Sequence, residues 1–251
     1  MLLPGATTGV LVGVGAGVFV AIGEGVNVGQ DTLVGPHVVI ERWTNIGARC
    51  RIGASAVLGG APQHRDYSGF TSYLNIGDDS EIRELAVIHR SASPGGSTQI
   101  GSHTLVMSQA HVAHDCLLAD RVVIASLTAL AGYVEVEEGA MIGGATGVHQ
   151  FVHVGAYSMV GGSSRLNQDV PPYMIAAGNP ARVRGLNSVG LRRSDFCPEL
   201  RRQLKTAYRT LYRSSLNVSQ ALATIQRQSD LSAPVLHLVR FIKRSKRGIC
   251  S

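Results

Sequence analysis

Residues 100–166 read IGSHTLVMSQAHVAHDCLLADRVVIASLTALAGYVEVEEGAMIGGATGVHQFVHVGAYSMVGGSSRL, and an aliphatic side chain returns at every sixth position: Ile100, Val106, Val112, Leu118, Ile124, Leu130, Val136, Ile142, Val148, Val154, Val160 and Leu166. A helix would place apolar residues three and four apart, and an ordinary strand would place them at every second position. A period of six is the mark of a hexapeptide parallel β-helix, in which each unit forms one flat face and its aliphatic residue points into a narrow core. Three faces close one coil, so residues about 18 apart stack on neighbouring coils at the strand spacing of about 4.8 Å.

The same clock runs upstream through Ile22, Val28, Val34, Ile40, Ile46, Ile52 and Leu58, and again through Ile76, Ile82 and Ile88. Two segments interrupt it, GGAPQHRDYSGFTSYLN at 59–75 and SASPGGSTQ at 91–99. The repeat restarts in phase after each, so both are expected to be loops thrown out from a continuing solenoid, where binding residues tend to sit. After DVPPYMIAAGNPARV the pattern changes. Pro198 near a helix start, followed by Leu200, Leu204, Ala207 and Leu211, predicts a helix, and VSQALATIQRQ and APVLHLVRFIKRSKRG predict two more. The expected organisation is a β-helix over 1–186 and a small α-helical domain over 187–251, packed on the solenoid's end as a cap against an open strand edge.

Composition agrees. The 251 residues hold 30 glycines and 5% aromatics, which suits short repeated strands. Cys50, Cys116, Cys197 and Cys250 form no CxxC pair. That points to reduced thiols in a cytoplasmic protein, and away from a zinc ribbon or a disulfide scaffold. The opening MLLPGATTGVLVGVGAGVFVAIG has no Lys or Arg before its apolar run and continues into the repeat, so it is not read as a signal peptide. No other apolar run approaches the roughly 20 residues of a membrane helix. A soluble protein with no integral membrane segment is expected. The net charge is +6, with much of the positive charge after Arg182. This could form a patch for an acidic partner, and no nucleic-acid motif accompanies it.

Within QAHVAHDC, Val112 is the inward residue, so His111 and His114 occupy other positions of their units. Stacking arithmetic carries His114 to Gly132 and then to Gln150. An imidazole would then lie beside a glycine backbone on the next coil, with an amide side chain one coil further. Such a column could hold a general base, an uncovered N–H for a developing oxyanion and a ligand donor. Asp115 could orient the imidazole. Isolated His103 and His153 read as ordinary structural histidines. No zinc spacing is present and no metal site is expected. A hexapeptide metalloenzyme of the γ-type carbonic anhydrase kind, with ligands from His89, His111, His114 or His149, stays open at this point, as does a catalytically silent scaffold.

SQAHVAHDC, together with VIHR, GGATGVHQF, VGG, QDVPPYMIAAGN and GLRR before a helical tail, resembles the acyl-[acyl-carrier-protein]–UDP-N-acetylglucosamine O-acyltransferases of lipid A biosynthesis. The resemblance covers nearly the whole chain. Hexapeptide repeats alone would identify only the broader acyltransferase superfamily. The resemblance implies a left-handed solenoid and a homotrimer with active sites in clefts between subunits. It implies transfer of a 3-hydroxyacyl group from acyl carrier protein to the 3-position of UDP-N-acetylglucosamine, with no cofactor because the thioester is already activated. Carried over, His114 is the general base, Asp115 its support and Gly132 N–H the oxyanion donor. His111, His149 and Gln150 match residues lining the cleft. Asn187 and Arg193 match nucleotide contacts, and Gly162 matches the position that limits acyl length. Arg192, Arg193, Arg201, Arg202 and Lys205 could receive the acidic carrier protein and the phosphates.

The chain departs from the family pattern in the first loop. There Gln63 is kept, but His64 and Asp66 stand where an aspartate and a lysine usually approach the sugar. Tyr133 replaces a usual histidine, Val189 a common glutamate and Pro180 a residue near the acyl tail. These changes leave the acceptor open between UDP-N-acetylglucosamine and another nucleotide amino sugar, and the donor between acyl carrier protein and acyl-CoA.

Overall fold

The computed structural model describes residues 19–251 and the strand Leu11–Val12. The question of a leader over residues 1–23 therefore falls mostly outside the described residues. Strands, most of them two residues long and all parallel except the last, Ala181–Leu186, which runs antiparallel to Met174–Gly178, stack into three sheets of 10, 8 and 7 strands among the described residues. The sheets are the faces of a left-handed β-helix, as expected. A small C-terminal helical part follows it.

Pairing obeys the stacking arithmetic. On the second face His111 pairs with Ala129, Ala129 with Gly147 and Gly147 with Arg165. The predicted aliphatic residues from Val28 onward fill a single core. A second buried position, two residues before each aliphatic one, holds small side chains such as Thr104, Ala110, Cys116, Thr128 and Ala140. It sits next to the corner, where the prism leaves little room. The corner residue itself takes left-handed backbone: φ is 60° at Gln109, 57° at Asp115, 58° at Arg121, 64° at Leu127 and 61° at Tyr133. A non-glycine residue adopts that conformation at a cost of about 1 kcal/mol, which the stacked ladder must over-determine at each turn.

Both interruptions are loops, slightly shorter than expected. Tyr73–Ile76 and Ser97–Ile100 are strands, so the loops close before the periodic residue returns. Four helices follow the last strand: α1 (Ser188–Arg193), α2 (Pro198–Tyr212), α3 (Val218–Gln226) and α4 (Ala233–Arg244). The three longer ones match the predicted helices. The short α1 was not anticipated, because SVGLRR carries no helical period and is nucleated by Asn187 at its N-cap. The helices share a core with Tyr173 and Met174 of the solenoid. Glu137 of the solenoid is held by His237 at 3.1 Å and paired with Arg244. Asp169 N–H donates to Gly248 O, and Cys250 N–H to Asp169 O, which seats Cys250 in the solenoid core. No helix among the described residues is long and apolar enough to cross a membrane.

Candidate active site

His114 follows the His111–Val112 strand at the corner between the second and third faces and is 9% exposed. Its Nδ1 lies 2.8 Å from Asp115 Oδ2. An ionised carboxylate can only accept, so Nδ1 carries the proton and Nε2 presents its lone pair. The ring lies over Gly132: a Cβ built there would fall 2.6 Å from His114 Cε1 and 2.8 Å from Nε2. Any side chain at 132 would displace the imidazole. Among the described residues no hydrogen-bond acceptor is paired with the Gly132 N–H, whereas the flanking Ala131 and Tyr133 N–H groups donate to Val148 O and His114 O. The corner therefore joins a base-competent nitrogen to an unused amide donor.

Asp115 is anchored on three sides. Oδ1 accepts the Ser91 hydroxyl at 2.5 Å, Oδ2 accepts the Ala92 N–H at 2.9 Å, and its own N–H donates to Thr98 Oγ1 at 2.8 Å. Burial pushes the carboxyl upward, but Ser91, Ala92 and His114 together hold it below the ordinary aspartate range.

An open groove of about 630 Å³ runs from this corner along the second face. Its floor is the outward column His111, Ala129, Gly147 and Arg165, and its wall is the stacked column His114, Gly132 and Gln150. The small Ala129 and Gly147 make the floor a trough. His149 is exposed beside it, with Nδ1 3.0 Å from Gln150 O. The first loop folds back over the groove. Gln63 lines it, and the His64 ring stands edge-on to His114 with centroids 5.4 Å apart. Tyr133 approaches the same imidazole at 5.2 Å and stacks on Phe151 at 4.8 Å.

Arg90 fixes that loop. It is 6% exposed, donates to Gly59 O at 2.6 Å and to the Tyr67 hydroxyl at 2.9 Å, and packs over the Trp43 and Tyr67 rings. His89 donates from Nδ1 to Ala61 O at 2.7 Å and lies 5.2 Å from the His111 ring. Burial lowers the pKa of both histidines, so each is favoured in its neutral form. Among the described residues no three His, Cys, Asp or Glu side chains are grouped as a metal site.

The remaining sequence candidates are dispersed within one chain. Asp66 is exposed in the loop and does not line the groove; its N–H donates to His64 Nδ1 at 3.3 Å. Gly162 is on the opposite corner of the second face, where a Cβ would meet Gly144 O at 3.2 Å. Asn187 is 8% exposed and committed to structure: Oδ1 caps Gly190 N–H at 3.0 Å and Nδ2 donates to Tyr157 O at 2.9 Å. Arg193 is exposed in the last turn of α1, and neither it nor Asn187 lines the groove. The expected basic surface also shrinks. Arg201 donates to Phe196 O and Arg202 pairs with Glu199 at 2.8 Å, leaving Arg192, Arg193 and Lys205 exposed and without an ion-pair partner among the described residues. Sequence reasoning missed Ser91, Thr98, Arg90, Phe151 and Arg165. Ser91 stands 24 residues before Asp115, an offset that the second loop imposes on the stack and that a plain step of 18 does not reach.

Fold and corner together define a hexapeptide-repeat transferase. Residues 25–60 match the family model for the bacterial transferase hexapeptide, and residues 169–250 match that for UDP-N-acetylglucosamine O-acyltransferase, domain 2. The chain is similar to the acyl-[acyl-carrier-protein]–UDP-N-acetylglucosamine O-acyltransferase of Thermodesulfovibrio yellowstonii, with 43% identity over 90% of this chain and 88% of the relative. It is similar to that of Synechocystis at 46% identity over 83% and 75%. Among solved structures it resembles UDP-N-acetylglucosamine O-acyltransferase (LpxA) of Moraxella catarrhalis, with a TM-score of 0.92 and 35% identity, covering 98% of this chain and 95% of that one. The chain belongs to the acyl-[acyl-carrier-protein]–UDP-N-acetylglucosamine O-acyltransferase family.

Proposed function

We propose that this protein transfers a 3-hydroxyacyl group from acyl carrier protein to the 3-hydroxyl of UDP-N-acetylglucosamine, the opening step of lipid A biosynthesis. The observation that carries the mechanism is the His114–Asp115 pair with its Nε2 edge over the uncovered Gly132 amide. His114 Nε2 takes the proton of the sugar hydroxyl as that oxygen attacks the thioester carbonyl. The carbonyl oxygen becomes an oxyanion and accepts a hydrogen bond from Gly132 N–H. Collapse breaks the carbon–sulfur bond, and the leaving thiolate receives the proton back from His114. Asp115 stabilises the imidazolium in between. Nothing in this cycle requires a cofactor.

The trough floored by Ala129 and Gly147 suits an acyl chain or a sugar ring, with Gly162, on the opposite corner of the same face and outside the groove lining, setting the acyl length. A homotrimer in the cytoplasm completes the reading. Its support is an outward column of Leu105, Val123, Met141, Met159 and Ile175 along the first face, an apolar stripe suited to association of copies. In such a trimer the cleft between subunits would receive Asn187 and Arg193 from the neighbouring chain to hold the nucleotide. The exposed Arg192, Arg193 and Lys205 would meet the acidic carrier protein.

The test is incubation of purified protein with UDP-N-acetylglucosamine and a mixture of 3-hydroxyacyl carrier proteins, with products read by mass spectrometry. An acylated nucleotide sugar that disappears in His114→Ala is expected. Full activity in a folded His114→Ala variant would refute the assigned base. Product only with an amino-sugar nucleotide would move the acceptor, and His64 and Asp66 would be the residues to exchange. Product only with acyl-CoA would move the donor.

A further inference from the structure

We propose that Ser91 is a positioning residue of this site: its hydroxyl, reaching from the preceding coil, locks the Asp115 carboxylate in the orientation that keeps His114 Nδ1 protonated and Nε2 available at the Gly132 corner. The inference rests on the reading of His114 as the base.

Its geometry is directional. Val87 pairs with His111 and Ile88 with Val112, so the same register sets Ser91 directly beneath Asp115 at the corner from which the second loop departs. Ser91 is fully buried. Its oxygen accepts the Ser93 N–H at 2.9 Å, and its carbonyl accepts the Ser72 hydroxyl at 2.6 Å. The hydroxyl has one proton and two acceptors in reach, Ser93 O at 3.4 Å and Asp115 Oδ1 at 2.5 Å. The shorter bond to the charged acceptor takes it. A chain of donors then runs one way, from Ser93 N–H through Ser91 to Asp115, where His114 Nδ1–H arrives from the other side.

Without Ser91, Oδ1 loses its partner, while Oδ2 keeps both Ala92 and His114. The terminal torsion of an aspartate is soft and broad, so the carboxylate would swing about the single oxygen still held. His64 and Tyr133 stand edge-on to the imidazole and His89 lies beyond, and among the described residues none of the three hydrogen-bonds it. Asp115 alone therefore sets the tautomer, and what sets Asp115 sets the base.

The experiment has two readouts, one of which needs no substrate. In ¹⁵N-histidine-labelled protein, with the His114 signals assigned by difference against His114→Ala, the wild type is expected to show a single Nδ1–H tautomer. Ser91→Ala is expected to show a mixture that includes Nε2–H. In acyl transfer, Ser91→Ala is expected to lower kcat about tenfold, about 1.4 kcal/mol, with both KM values within about twofold of wild type. The same substitution in an Asp115→Asn background is expected to cost less than about twofold, because Ser91 acts through that carboxylate. Unchanged His114 shifts in Ser91→Ala would overturn the proposal whatever the activity, and so would an equal loss in both backgrounds. A tautomer mixture in Ser91→Ala, with a wild type that acylates no nucleotide sugar, would uphold the role of Ser91 and sink the functional reading instead.

Discussion

Gly132→Ala tests the corner with a single methyl group. The new Cβ would lie 2.6 Å from His114 Cε1 and 2.8 Å from Nε2, where non-bonded carbon atoms rest at about 3.5–4.0 Å. The imidazole must retreat by about 1 Å, and a misplacement of that size at a reacting centre costs on the order of 10²-fold in rate, or about 2.7 kcal/mol of transition-state stabilisation. The backbone at 132 does not have positive φ, so alanine meets no conformational penalty and trims the freedom of the unfolded chain by about 0.4–1 kcal/mol. That gain offsets part of the cost of moving the buried ring, so stability should fall far less than activity. Initial rates of acyl transfer measured beside thermal melting give both numbers, and Gly132→Met, with a longer side chain over the same ring, should fall at least as far. A Gly132→Ala enzyme with wild-type kcat would refute the idea that the reaction takes place where His114 overlies this amide.

Other residues make separate predictions. Arg90→Lys keeps the charge but loses the fork that spans Gly59 O and the Tyr67 hydroxyl; chemical denaturation should show a loss of about 2 kcal/mol, and limited proteolysis should open the chain between Gly60 and Tyr73. Glu137 is pushed up by burial, but His237, the Ala156 N–H and Arg244 hold it below its reference value of 4.5. Its contribution to stability is thus full above that value and lost as pH falls through the lower, folded one. Melting curves should show an acid-side loss that Glu137→Gln largely removes, and an unaltered acid limb in that variant would remove Glu137 from the account. Gly162→Met should shorten the preferred acyl chain by several carbons without abolishing transfer, as read from the product masses of a mixed carrier-protein pool.

The solenoid was legible because every sixth residue repeats one physical demand. Val112, Leu130 and Val148 fill the same slot on successive coils, so counting was enough to place His114 beside Gly132. The same arithmetic could not place Ser91, since the loop from 91 to 99 changes the offset and its length is only known once both ends are paired. Nor could it place Asn187. A motif match suggested a ligand contact, while the folded chain uses one N–H and one lone pair of that amide for Tyr157 and the helix cap, so a contact with nucleotide has only the remaining N–H and lone pair to draw on. Arg90 has no legible role within VIHR because its partners, Gly59, Tyr67 and Trp43, come from coils and a loop that no local pattern links to it.

Those offsets show how such a fold acquires a site. The asparagine ladder on the third face steps by 18 from Asn27 to Asn45 and by 30 from Asn45 to Asn75, across the first loop, and Ser91 reaches Asp115 over 24, across the second. Each excess over one coil is a whole number of hexapeptides, so an insertion neither rotates a face nor moves an aliphatic residue out of the core. Chain can therefore be added at a corner without cost to the stack below it. Both additions converge on the corner of His114: the first lays His64 against the ring, and the second starts with the Ser91 and Ala92 donors to Asp115. A rigid register supplies the base and the amide one coil apart, and the two loops supply what a repeat cannot, a cover for the groove and a fixed carboxylate. Changes in loop sequence should accordingly alter which substrate is accepted, whereas changes in register should abolish transfer whatever the substrate.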